Sequence, residues 1–257
     1  MRHTIQRRVA AGVVTAGIVA GTAAVAPGAA FAAPAATTTS AAPSSSTPPS
    51  NPLCTPATFS AAQQRVEAAL SGRVVQLNAL AAEANNTANH LTTADRQTLQ
   101  NDISAVELPG IQALQPQAQQ ATTCVQLRQV ARPMVFNYRV YVVMTPQTHL
   151  TIVADDETYV EGVFVNLEST IAQAIQTAQS QGKDTTAAQS AFDDLKTQVA
   201  SAQSATAGQA ATVLAQTPQG APGNWQVFLA ARTAMLNGRN DLRTAFADAQ
   251  HIRTDLQ

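Results

Sequence analysis

The chain has 257 residues, of which 45% are apolar, 12% charged and 4% aromatic, with two cysteines and a formal charge of −1. Near-neutrality excludes the basic surface that nucleic-acid binding and adhesion to anionic membranes rely on. So few aromatic and charged groups point to a core of small aliphatic side chains and to outer faces solvated by amides and hydroxyls.

Arg2, Arg7 and Arg8 charge the N-terminus, a small-residue apolar run covers 9–25, and Ala30-Phe31-Ala32 offers the small side chains a signal peptidase accepts. This order predicts a secretory signal peptide over residues 1–32, cleaved between Ala32 and Ala33. The Arg7-Arg8 pair before an Ala/Gly-rich run leaves twin-arginine export open beside the general route. No later apolar run reaches the ~20 residues of a spanning helix, so no membrane span is expected after cleavage. Loss of the leader, with three arginines and no acid, takes the charge from −1 to −4. Residues 33–52 are almost wholly Ala, Pro, Ser and Thr. They have too little apolar surface to offset ordering entropy and form a disordered linker.

Residues 53–257 read as one helical domain. Phe59, Ala62, Val66, Leu70, Val74, Leu77, Ala81 and Ala84 recur at steps of three or four, the apolar face of a long helix. Asn85, Asn86 and Asn89 fray its end, and Thr92 with Asp95 reads as a new N-cap. Leu99, Ile103, Val106, Ile111, Leu114 and Ala118 continue the stripe, with a kink or break at Leu108-Pro109-Gly110. Val160, Phe164, Leu167, Ile171, Ala174 and Ala178 mark a helix that ends at Gln181-Gly182. Asp184 or Thr185 caps the next, which carries Ala188, Phe192, Leu195, Val199 and Ala202. After the turn cluster at 217–223, a last helix presents Trp225, Phe228, Leu229, Met235, Leu236, Leu242, Phe246 and Ile252. The fold class is all-α, an elongated antiparallel bundle of about five long helices with Ala-rich seams crossing at about 20°.

Cys54 and Cys124 are expected to form a disulfide, because export places them in an oxidising compartment. If the chain runs up over 58–89 and down over 93–121, the limbs match in length and the cysteines meet at the open end of this first hairpin.

Residues 134–159, MVFNYRVYVVMTPQTHLTIVADDETY, hold all three tyrosines. The β-branched and aromatic run favours strands on propensity, so a hairpin over 135–153 stands as the alternative to helix. Helix is preferred because a lone hairpin has no sheet to join, with Pro133 and Pro146 marking breaks or kinks. The run over 138–157, YRVYVVMTPQTHLTIVADDE, resembles a segment of uncharacterised secreted, coiled-coil-like helical proteins of actinobacteria. The resemblance implies a helical extracellular protein and carries over no activity or site.

His90, His149 and His251 lie apart and outside any H-E-x-x-H pattern, so they read as surface or interface residues and no metal site is expected. Asp155-Asp156-Glu157 lacks the spacing of a calcium loop and reads as a solvated turn or helix start. No nucleophile elbow or phosphate loop occurs, so no catalytic residue and no cofactor are assigned. Tyr138, Arg139, Tyr141 and His149, with Gln147, are the candidate ligand-lining residues or, on the preferred reading, a well-packed layer of the bundle. The sequence therefore points to a secreted, non-enzymatic helical protein that meets an unknown protein or cell-wall partner noncovalently. The alternative is an extracellular module binding a small molecule or glycan through residues 138–156.

Overall fold

The computed structural model describes residues 54–257, so the signal peptide, its cleavage point at Ala32 and Ala33, and the linker lie outside the described residues. A short 3-10 turn, Pro56–Thr58, leads into α1 (Phe59–Asn85). Then follow α2 (Thr93–Gln100), α3 (Leu108–Gln120), α4 (Cys124–Phe136), α5 (Thr145–Ser180), α6 (Thr186–Thr206), α7 (Gln209–Leu214) and α8 (Asn224–Asp255). No strand occurs among the described residues, and the hairpin alternative over 135–153 is replaced by the end of α4, a three-residue loop, a π-helical turn at Val140–Met144 and the start of α5. The five long helices expected are α1, the continuous rod α2–α3, α5, α6 and α8. The short α4 and α7 come in addition.

Caps follow local chemistry. Thr92 caps α2, its Oγ1 accepting the Asp95 N–H at 3.1 Å, and Thr123 with Gln126 forms a capping box at α4. Thr185 precedes α6, where Asp184 accepts the Thr186 N–H at 3.0 Å. Gly182, at φ +78°, lets the chain leave α5 in the left-handed conformation that an L side chain resists.

The proline at 109 does not break the rod. The backbone runs through Asn101–Glu107 as a π-helix, and the Leu108 N–H reaches back to the Ile103 carbonyl. A proline lacks an N–H, and its ring collides with the carbonyl four residues back. The longer i→i−5 spacing relieves both. The same device precedes Pro146, where Val140–Met144 is π-helical and the Thr145 N–H bonds to the Val140 carbonyl. The widened turn has a price in register: Val106 points out at 53% exposure, and Glu107 takes the inward position at 4%.

The first hairpin is as expected. Gln63 Nε2 on α1 donates to the Ala118 carbonyl at 2.8 Å, and Cys54 and Cys124 are bridged with Cα atoms 5.7 Å apart. Its core joins Leu70, Leu77 and Leu80 of α1 to Leu99, Ile103, Ile111 and Leu114 opposite. Gly110 has no Cβ because the Tyr138 ring occupies that place. In the second half, Phe192, Leu195, Val199 and Ala202 of α6 meet Leu242, Ala245 and Ile252 of α8 in antiparallel register, with Phe164 and Ile175 of α5 beside them. Gly238 allows a close crossing there, since a Cβ would stand 2.8 Å from Thr206 Cγ2. Only one side of α8 is buried: Trp225, Leu229, Leu236 and Phe246, read from the sequence as part of its apolar face, are 38–47% exposed. No described helix is long and apolar enough to cross a membrane.

Candidate functional site

The long helix α5 is met from several sides, and its N-terminal half collects most of the polar chemistry. Gln147, 1% exposed, donates from Nε2 to the Leu214 carbonyl at 2.9 Å and the Gln216 carbonyl at 3.1 Å. It thereby satisfies carbonyls that α7 leaves open at its C-terminus.

The four residues singled out as ligand-lining go to separate contacts. Tyr138 is half-buried over Gly110. Arg139 turns back on its own loop, donating from Nε to the Phe136 carbonyl at 3.3 Å with its guanidinium 5.6 Å from the Phe136 ring centre. Tyr141, half-exposed, packs against α1 with the Arg73 guanidinium 5.1 Å from its ring centre. Burial lowers the Arg73 pKa, opposed by Tyr141. His149 Nε2 stands 3.0 Å from Glu83 Oε2, and this hydrogen bond raises the imidazole pKa against a desolvation that lowers it. None of the four lines either of two cavities described next.

The first cavity, ≈ 320 Å³, lies beside the disulfide and is mostly apolar, with Ala62, Val66, Leu127, Arg65 and Arg128 around Cys54 and Cys124. The second, ≈ 420 Å³, lies where α5, α6 and α7 meet the start of α2, and its polar lining is Asp95, Asp155, Thr158, Glu161, Gln203 and Thr206.

This second cavity borders the acidic stretch that the sequence reading placed in a solvated turn or helix start. The structure corrects that: Asp155, Asp156 and Glu157 sit inside α5, with Asp155 and Glu157 buried. A charge triplet reads as solvated until tertiary packing brings partners to it, and here the two aspartates hold the α1–α2 connection while Glu157 holds α8. Asp156 Oδ1 accepts the His90 N–H at 2.7 Å, and the His90 ring stacks on Tyr159 at 3.6 Å between centroids. Asp155 Oδ2 accepts the Thr92 N–H at 2.8 Å, fastening the cap of α2 to α5. Glu157 Oε1 accepts from Arg239 Nε of α8 at 3.1 Å, while its Oε2 is buried with no hydrogen-bond partner. Glu161 Oε1 accepts the Thr206 hydroxyl of α6 at 2.7 Å.

Burial disfavours the ionised forms and dominates their titration. It pushes Asp155 up to about 6, with Asp95 and Asp156 adding repulsion and the Thr92 N–H opposing. It pushes Glu157 up to about 7 in spite of Arg239, and it raises Glu161 against the Thr206 hydroxyl. Among the described residues no group of three or more His, Cys, Asp or Glu side chains is placed to hold a metal ion. Comparison with known proteins finds no matching family model, no similar curated protein and no similar solved structure.

Proposed function

We propose that this is an exported, non-enzymatic helical protein that acts through its surface on a protein partner at the cell envelope. The leader pattern of residues 1–32 and the Cys54–Cys124 disulfide support export. The observation that carries the surface reading is the outward side of α8. Leu229 and Leu236, two turns apart, are 44% and 47% exposed, and Trp225 is 46% exposed on the same side. Arg232 lies between the leucines and Arg243 follows them, both exposed. An apolar strip edged by guanidinium groups fits a protein surface with an apolar centre and a carboxylate rim.

The test is co-sedimentation of the purified chain with envelopes of the cell that exports it, intact or protease-treated, beside a Leu229→Ser/Leu236→Ser variant. The reading expects binding to intact envelopes only, lost in the variant. Binding that survives protease treatment would assign the strip to lipid or glycan. A stable dimer in sedimentation velocity, abolished by the variant, would assign it to a second copy, and unchanged variant binding would remove α8 from the account.

The alternative, an extracellular binding module using residues 138–156, gains support at one end of that segment, where Asp155 lines the second cavity.

A further inference from the structure

The cavity beside the disulfide, ≈ 320 Å³, opens between α1 and α4, and its wall is built from Ala62, Val66, Leu127 and Ala131 with the two bridged cysteines. Alanine at 62 and 131 leaves the space unfilled, and the Cys54–Cys124 bond fixes one end of it covalently. Behind it the core thins to Ala62, Ala121 and Leu127. Among the described residues no ring, hydroxyl or side-chain amide lines the space. A sugar would lose its hydrogen bonds there, whereas methylenes would lose only water.

Two arginines separate this from an ordinary apolar hollow. Arg65 of α1 and Arg128 of α4 both line the cavity and are both exposed, which places their guanidinium groups at its mouth. Arg65 meets no partner among the described residues, and Arg128 donates only from Nε, to the Cys124 carbonyl of its own helix at 3.2 Å. The stretches that build the site, 54–66 and 108–154, contain no Asp or Glu, and Glu67 does not line it. Two like charges thus share one opening with no carboxylate between them, an arrangement that an incoming anion stabilises.

The ligand follows from the two halves together. A guanidinium fork matches the paired oxygens of a carboxylate, and an apolar pocket of this size takes a chain of methylenes. We propose that this cavity binds single-chain aliphatic carboxylates, the chain against Ala62, Val66, Leu127 and Ala131 and the head group between Arg65 and Arg128. The site uses no residue of α8, so it stands or falls apart from the strip proposed above.

The experiment is isothermal titration of the purified full chain at pH 8 and low salt, below micelle-forming concentrations, with decanoate, octanoate and n-octanol. The expected result is saturable one-to-one binding, with decanoate about tenfold tighter than octanoate for its two extra methylenes, and octanoate at least about fivefold tighter than the alcohol. Arg65→Gln/Arg128→Gln changes two exposed side chains. It should bring octanoate to within about twofold of n-octanol while leaving the alcohol itself unaffected, a pattern that misfolding would not produce. Ala131→Phe fills the cavity and should abolish binding of all three. No saturable heat with decanoate, octanoate no tighter than n-octanol, an arginine variant that binds octanoate as wild type does, or a folded Ala131→Phe that still binds would each overturn the assignment.

Discussion

Glu107 offers the sharpest test of the packing derived above. The π-helical turn before Pro109 places it inward at 4% exposure, and its Oε2 has no hydrogen-bond partner. Burial first, and the neighbouring Asp102 second, push its pKa from 4.5 up to about 8. A carboxyl raised in the folded state holds its proton there more tightly than in the unfolded chain. Its contribution to stability is therefore greatest below pH 4.5, falls as pH rises through that value, and levels off above about 8. Each pH unit in that window is worth ~1.4 kcal/mol, so the full loss at pH 7 is ~3 kcal/mol, and ~1.5 kcal/mol once solvent screening is allowed for. Glu107→Gln removes the titration while keeping the volume. Urea unfolding of both proteins from pH 5 to 9 should show wild type losing ~1–2 kcal/mol relative to the variant between pH 5 and 8. The difference between the two isolates Glu107 from Asp155, Glu157 and Glu161, which titrate in both. Parallel stability curves would refute the inward placement of Glu107 and with it the π-turn account of the register.

Replacing Cys54 and Cys124 by serine opens a loop closed across a sequence separation of 70 and should lower unfolding stability by ~2–4 kcal/mol, measured by urea melts under identical conditions. Gly110→Ala drives a methyl into the Tyr138 ring and should cost ~1–3 kcal/mol. Most of that cost should vanish when the change is made in a Tyr138→Ala background, and simple additivity of the two would show that ring and glycine do not touch. Gln147→Leu strips donors from the partly buried carbonyls of Leu214 and Gln216, at a cost of ~1–3 kcal/mol. Amide exchange should quicken in α7 and leave the α1–α3 hairpin unchanged; uniform quickening would contradict this local role.

The five long helices, the cap at Thr92, the start of α6 at Asp184 or Thr185, where Asp184 takes the first N–H, and the disulfide were legible because each rests on chain-local signals: period, cap chemistry and the matching length of two limbs. What was illegible depends on how many neighbours a helix acquires. Because α5 is met by the α1–α2 loop, α6 and α8, the triplet Asp155-Asp156-Glu157 finds partners in place of water. By contrast α8 is packed on one side, so Phe228, Met235, Leu242 and Ile252 go in while Trp225, Leu229, Leu236 and Phe246 stay out, two stripes that merge in a simple count of apolar residues. Val106 and Glu107 exchanged places for a third reason, a change of helical pitch that an α-period template cannot register. The cavity acids escaped because Asp95, Asp155 and Glu161 meet only through tertiary folding. Of the candidate-lining residues, Tyr141 and His149 face α1, Tyr138 faces Gly110 and Arg139 faces its own loop, which no spacing rule foretells.

The disulfide also determines how the domain carries load. Cys54 is bonded to Cys124 at the first position of α4, so the chain forks covalently just before α1. Tension applied N-terminal to Cys54 divides between the start of α1 and the start of α4, and α1 cannot be peeled from α3 one turn at a time. With the cysteines 70 apart in sequence, roughly 240 Å of contour is withheld from extension while the bond is intact. With the bond intact, the described residues of a tethered copy would lengthen under force only C-terminal to Cys124, and reduction would release the stored hairpin length as a separate step.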